Sequence, residues 1–105
     1  MARFENKMGI TKINMFANIQ VYCSIGKAFF TARMSIEMVP NAVIPDYIEV
    51  EDHIRDLSGK AMVIEDCVDL VYDYINLNYD PISLLVRANA SDARHMPVTV
   101  EKQSQ

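Results

Sequence analysis

The chain has 105 residues, half of them apolar and 23% charged, with 14 acids against 10 bases and a formal net charge of −4. A chain of that length makes one domain with a thin core, for which subunit association is a natural supplement. No run of Lys or Arg is long enough to neutralise successive phosphates, which excludes a nucleic-acid partner from expectation.

The opening MARFENKMGITKINMF has no continuous apolar core ahead of a small-residue cleavage site. No stretch reaches the roughly 18 apolar residues of a membrane span. The expectation is a soluble, cytoplasmic protein with no membrane partner. Cys23 and Cys67 lie too far apart for a C-x-x-C pair and are expected to stay reduced. Residues 1–17 read as a loosely ordered N-terminal segment, 18–102 as the folded domain and 103–105 as a polar tail.

Within the folded part, Ile19, Val21, Cys23 and Ile25 alternate with Gln20, Tyr22 and Ser24, the period of a half-buried strand. Gly26-Lys27 turns the chain. Phe30, Ala32, Met34, Ile36 and Met38 alternate with polar residues in a long second strand that Pro40-Asn41 closes. After Pro45-Asp46 the period changes, with Val50, Ile54 and Leu57 at helical spacing and Ser58-Gly59 as the stop. Ile64, Cys67, Val68, Val71 and Ile75 mark a longer helix whose other side carries Asp66, Asp69 and Asp73, ended by Asp80-Pro81. Ile82, Leu84, Val86 and Ala88, then Val98 and Val100, form a second hairpin around the polar turn from Asn89 to Arg94. The class is therefore α+β: ββααββ, a four-stranded antiparallel sheet with both helices on one face. Its other face and its edges would need cover from copies of the same chain. The seven methionines, Met34, Met38 and Met62 among them, read as fillers of core gaps.

That element order resembles the tunnelling-fold superfamily, whose members keep a glutamate in the second helix for a purine- or pterin-like ring and assemble as oligomeric barrels. Glu65 stands at that place. Within the superfamily, Val63-Ile64-Glu65-Asp66-Cys67-Val68 is similar to the Phe-His-Glu-Asp-Cys-Val segment of the QueF-type, NADPH-dependent 7-cyano-7-deazaguanine reductases of queuosine biosynthesis, with identity from Glu65 to Val68. The likeness runs back to Cys23-Ser24-Ile25-Gly26, similar to the stretch that the reductase's nucleophilic cysteine opens, and through Ile36-Glu37-Met38-Val39-Pro40 to Asp80-Pro81. It implies Cys23 as nucleophile and Glu65 and Asp46 as substrate contacts, a small heterocycle as ligand, and NADPH as cofactor.

The departures bear on chemistry. Phe30 stands where the reductase has a proton-delivering aspartate, and Ile64 replaces its histidine. The Glu-Ser-Lys-Ser-x-Lys stretch associated with NADPH has become Asp46-Tyr47-Ile48-Glu49-Val50-Glu51, so cations that would hold phosphates are gone. These losses point to a divergent homologue that keeps the oligomer and a ring pocket without full nitrile reductase chemistry. An active reductase using Cys23 is the alternative. A dihydroneopterin aldolase-like enzyme, with Lys102, Lys60 and Tyr22 as nominal base and pocket residues, is the outside one.

Each candidate also has a plainer role. Cys23 fits a small buried residue on a strand's inward face, Cys67 fits the helix core, and Glu65 fits a solvated acidic face. Arg94, near the reductase's Arg-Gly-Gly stretch, fits a turn arginine. His53 and His95 share no metal-ligand spacing with another His, Cys or acid, and the zinc ligands of the GTP cyclohydrolase branch lack counterparts, so no metal is expected.

Overall fold

A computed structural model of the chain describes residues 3–93 and 95–104; Arg94 lies outside the described residues. Strands β1 (Arg3–Glu5), β2 (Ile13–Cys23), β3 (Ala28–Val39) and β4 (Val43–Pro45) precede helices α1 (Tyr47–Arg55) and α2 (Ile64–Tyr79), followed by β5 (Ser83–Ala90) and β6 (Val98–Gln103). The main sheet runs β2-β3-β5-β6 with every neighbour antiparallel. Both helices cover one face of it. No helix among the described residues is long and apolar enough to cross a membrane.

Strand β2 begins at Ile13, well ahead of the alternation read from Ile19. The inward parity does continue through Ile13, Met15 and Ala17. It is masked in the sequence because Phe16, an aromatic residue, points outward and is 78% exposed. The boundary drawn between Ala17 and Asn18 therefore falls inside β2. Ahead of it, Arg3–Glu5 pairs with Val43–Pro45 in a two-stranded ribbon too short for any period to announce. At the other end β2 stops at Cys23, paired with Ala28. Ile25 belongs to the turn, where it is 82% exposed instead of inward.

The core lies between sheet and helices. From the sheet come Val21, Phe30, Met34, Ile36, Val86 and Ala88, and from the helices Val50, Ile54, Cys67, Val71 and Ile75. Met34 and Met38 are buried and Met15 and Met62 pack against the cluster, as gap-fillers do, whereas Met8 and Met96 are exposed and fill no core gap. Helix α2 ends where Asp80 turns left-handed at φ 42° ahead of Pro81. Its polar side bears Asp69 and Asp73, both reached by Lys102 of β6, with Nζ 2.6 Å from Asp69.

The sheet face turned away from the helices carries Asn14, Asn18, Gln20, Thr31, Ser35, Glu37, Arg87 and Glu101, and among them the exposed rings of Phe16 and Phe29. Those two rings keep part of the expected need for protein cover on that face, and the sheet edges add to it. Gln20 and Tyr22 exchange backbone hydrogen bonds with the 59–62 segment, whereas Ile13 to Ile19 form the sheet's outer edge on that side and β6 forms it on the other.

Helices α1 and α2 meet where the His53 ring stacks on Tyr74, centroids 3.7 Å apart and planes 12° from parallel. Burial holds the His53 pKa below its ordinary value, with Asp56 opposing and Lys60 assisting. The unfolded chain therefore takes up this proton first. The stabilising contribution is fully present above about pH 6.5 and is lost as pH falls through the folded-state pKa. In a melting series from about pH 8 to pH 5, Tm is expected to fall toward acid in the wild type. It should fall less in His53→Phe, which keeps a ring on Tyr74 but cannot protonate.

Candidate functional site

A cleft of about 480 Å³ opens where the β2–β3 turn, the first turn of α2 and the β5–β6 turn converge. Cys23 and Gly26 come from the first of these, Ile64 and Glu65 from the second, His95 and Met96 from the third, and Phe30 of β3 forms the back. The volume suits a small ring ligand, for which pockets run from about 300 to 1,000 Å³.

Each side chain arrives there for a local reason. Cys23 is the last residue of β2, and the turn after it closes with Lys27 left-handed at φ 53°. That turn brings the Gly26 N–H to within 3.4 Å of Cys23 Sγ, to which it donates. Cys23 is half-buried and faces the cleft, in contrast to the fully buried position that strand parity alone describes. Glu65 occupies the first turn of α2, with an exposed side chain. The N-cap residue, Val63, has no side-chain oxygen, and the turn is held instead by the Asp66 carboxylate, which accepts from the Val63 N–H at 3.4 Å.

Cys67 takes its expected core position two residues further along, fully buried. Its thiol is pushed up to about 11 by that burial, with Asp66 and Glu65 adding to the effect.

Asp46 does not line the cleft. It is the N-cap of α1, with Oδ1 accepting from the N–H groups of Ile48 (3.0 Å) and Glu49 (3.4 Å). Replacing Asp46 by alanine is expected to cost about 1 kcal/mol of stability, and by asparagine only a fraction of that. Urea unfolding of the two variants checks this, and equal losses in both would point to the charge instead of the cap. Further along the same stretch, Glu51 pairs with Arg55 at 2.5 Å and Ile48 is exposed, so this stretch presents an acid and an alkyl side chain and no lysine.

The nominal aldolase residues do not meet here. Lys102 is held by Asp69 and lies 4.7 Å from the Tyr72 ring centre, and Tyr22 packs edge-on against Phe29. Lys60 is exposed on the segment beside Tyr22. Among the described residues no group of three His, Cys, Asp or Glu side chains could hold a metal ion.

His95 and Met96 are the lining residues that sequence reasoning missed. Nothing in a polar turn announces them, because their place depends on the second hairpin folding back across the start of α2. His95 Nδ1 lies 2.7 Å from the Met96 carbonyl. A carbonyl oxygen only accepts, so Nδ1 is the donor in this contact.

No protein-family model matches the chain, and no curated protein matches it. Solved structures do. The archaeosine synthase QueF-Like in its apo form superposes with a TM-score of 0.83 at 15% identity, over 90% of this chain and 93% of that one. A protein of Vibrio cholerae O1 biovar El Tor assigned as a dihydroneopterin aldolase (FolB) superposes with a TM-score of 0.72 at 14% identity, over 90% of this chain and 97% of that one. With this order of elements, this sheet and these neighbours, the chain has the tunnelling fold.

Proposed function

We propose that this chain is a cytoplasmic, homo-oligomeric protein that binds a purine-, deazapurine- or pterin-type heterocycle at a subunit boundary through Glu65, without complete nitrile reductase chemistry. The observation that carries the reading is that Cys23, Phe30, Ile64 and Glu65, the positions aligned with the reductase's reactive and substrate-gripping residues, line a single cleft. A carboxylate there accepts two N–H donors from the edge of a guanine-type ring in a charge-assisted pair. Phe30 and Ile64 offer that ring apolar surface and no proton, which is why binding without reduction fits these residues. The outer sheet edges at β2 and β6 supply the reason for association.

Retention of Cys23 in the cleft, with an N–H donated to its sulfur, favours an active reductase as the second reading. The aldolase-like reading has only the fold in its support, since Lys102 is engaged by Asp69.

Calorimetric titration with guanine, 7-cyano-7-deazaguanine and a pterin tests the proposal, alongside NADPH oxidation with the nitrile and aldol cleavage of dihydroneopterin. Saturable binding without turnover is expected. NADPH oxidation would establish the second reading, and no binding of any ring would overturn the first. Sedimentation velocity reads the oligomer, and a monomer at working concentration removes the subunit-boundary part.

A further inference from the structure

Strand β3 pairs with β5 as far as Arg33 and Asn89, and Thr31 lies beyond that last pair. The Thr31 N–H finds no β5 residue to accept it and donates instead to Asp92 Oδ1 at 2.9 Å. A side chain of the β5–β6 turn thus completes a rung that the strand itself does not make, which satisfies a backbone donor. Hydrogen bonds from the Thr31 backbone and hydroxyl hold the Asp92 carboxyl below its ordinary value, with Arg33 assisting, so the acceptor is ionised. The contact sits one residue from Phe30, the back of the cleft. Next to Asp92, Ala93 packs against the core. A void of about 20 Å³ is bounded by Cys23, Phe29 and Phe30 on one side and by Ala93 and His95 on the other, so the two turns meet there.

From this geometry we infer that Asp92 is a positioning residue of the cleft: its carboxylate pins the β5–β6 turn to β3 and so fixes the wall that His95 and Met96 form. Asp92 does not line the cleft and acts only through the turn. Met96 is 77% exposed, so burial does not hold that wall in place, and a segment with few buried contacts opens locally at low cost unless something ties it down. A wall fixed before a ligand arrives spares binding the cost of ordering it. The consequence for affinity rests on the ring-binding reading above. The consequence for Cys23, which the turn lies against, does not.

Iodoacetamide labelling of Cys23, read by peptide mass, reports whether the turn covers that side of the cleft. Cys67, buried and with its thiol pushed up to about 11, reports global opening. Asp92→Ala is expected to speed labelling at Cys23 by about three- to tenfold, to speed amide exchange at Thr31, and to leave Cys67 unlabelled. Asp92→Asn keeps an acceptor oxygen for the Thr31 N–H and is expected to stay within about twofold of the wild type, a rescue that mere loss of a surface charge would not show. Titrated with a ring that the wild type binds, Asp92→Ala is expected to bind it about three- to tenfold more weakly. Unchanged labelling of Cys23, unchanged exchange at Thr31 or unchanged ring affinity in Asp92→Ala overturns the inference. So does labelling of Cys67 along with Cys23, or an asparagine variant as fast as the alanine one. A wild type that binds no ring removes the ring-binding reading, and Cys23 labelling then decides the role of Asp92 alone.

Discussion

Ile75→Ala is expected to destabilise the folded chain by about 3 kcal/mol, the largest loss of any single truncation considered for this fold. Ile75 is 0% exposed and sits in the C-terminal half of α2, which lies over β5 and β6. Removing its outer carbons forfeits their transfer free energy and leaves a cavity that a sheet on one side and a helix backbone on the other cannot close. Leu77, two residues along the same helix, is 81% exposed, and Leu77→Ala is expected to change stability by less than about 0.5 kcal/mol. Urea midpoints of the two variants at equal m-value and equal protein concentration check the contrast. Equal losses would mean that α2 does not present the face to the sheet that its apolar stripe defines.

Glu65→Ala is expected to weaken ring binding by about 10- to 100-fold while leaving the unfolding midpoint unchanged. Hydrogen bonds to an ionised acceptor are worth about 1.5–3 kcal/mol in a desolvated site, which converts to that range of affinity. The carboxylate is exposed in the isolated chain and makes no contribution to the core, so affinity and stability separate cleanly. Glu65→Gln should recover little. Its amide replaces one acceptor with a donor that faces the ring's own N–H, and a donor opposed to a donor repels. Titration of both variants with whichever ring the wild type binds decides the matter. Unchanged affinity in Glu65→Ala would remove the anchoring role.

The two candidate residues on opposite sides of the cleft illustrate how far a one-dimensional pattern reaches. Glu65 was legible because the helical stripe from Ile64 to Ile75 fixes which way each residue of the first turn faces, and the Glu-Asp-Cys-Val segment gave it a precedent. His95 was not, since a histidine in a polar turn has no period to belong to. Asp46 was half legible: the acid ahead of a helical run was visible, but its carboxylate is taken by the N–H groups of Ile48 and Glu49, and the cleft lies elsewhere. For Cys23, strand parity described an inward residue, and it does pack against the core, while the end of β2 at that position leaves it half-buried at the cleft.

Local periodicity by itself determined the order and type of the four main strands and both helices, because alternation and helical stripes are consequences of backbone geometry that burial enforces at every step. Only the tertiary structure decided the rest: that β2 starts at Ile13 behind an outward Phe16, that Arg3–Glu5 finds Val43–Pro45, and that turns distant in sequence close around Cys23, Glu65 and His95. Those are non-local pairings, settled by which surfaces can be buried together once the sheet and helices exist, and no window of neighbouring residues carries that information.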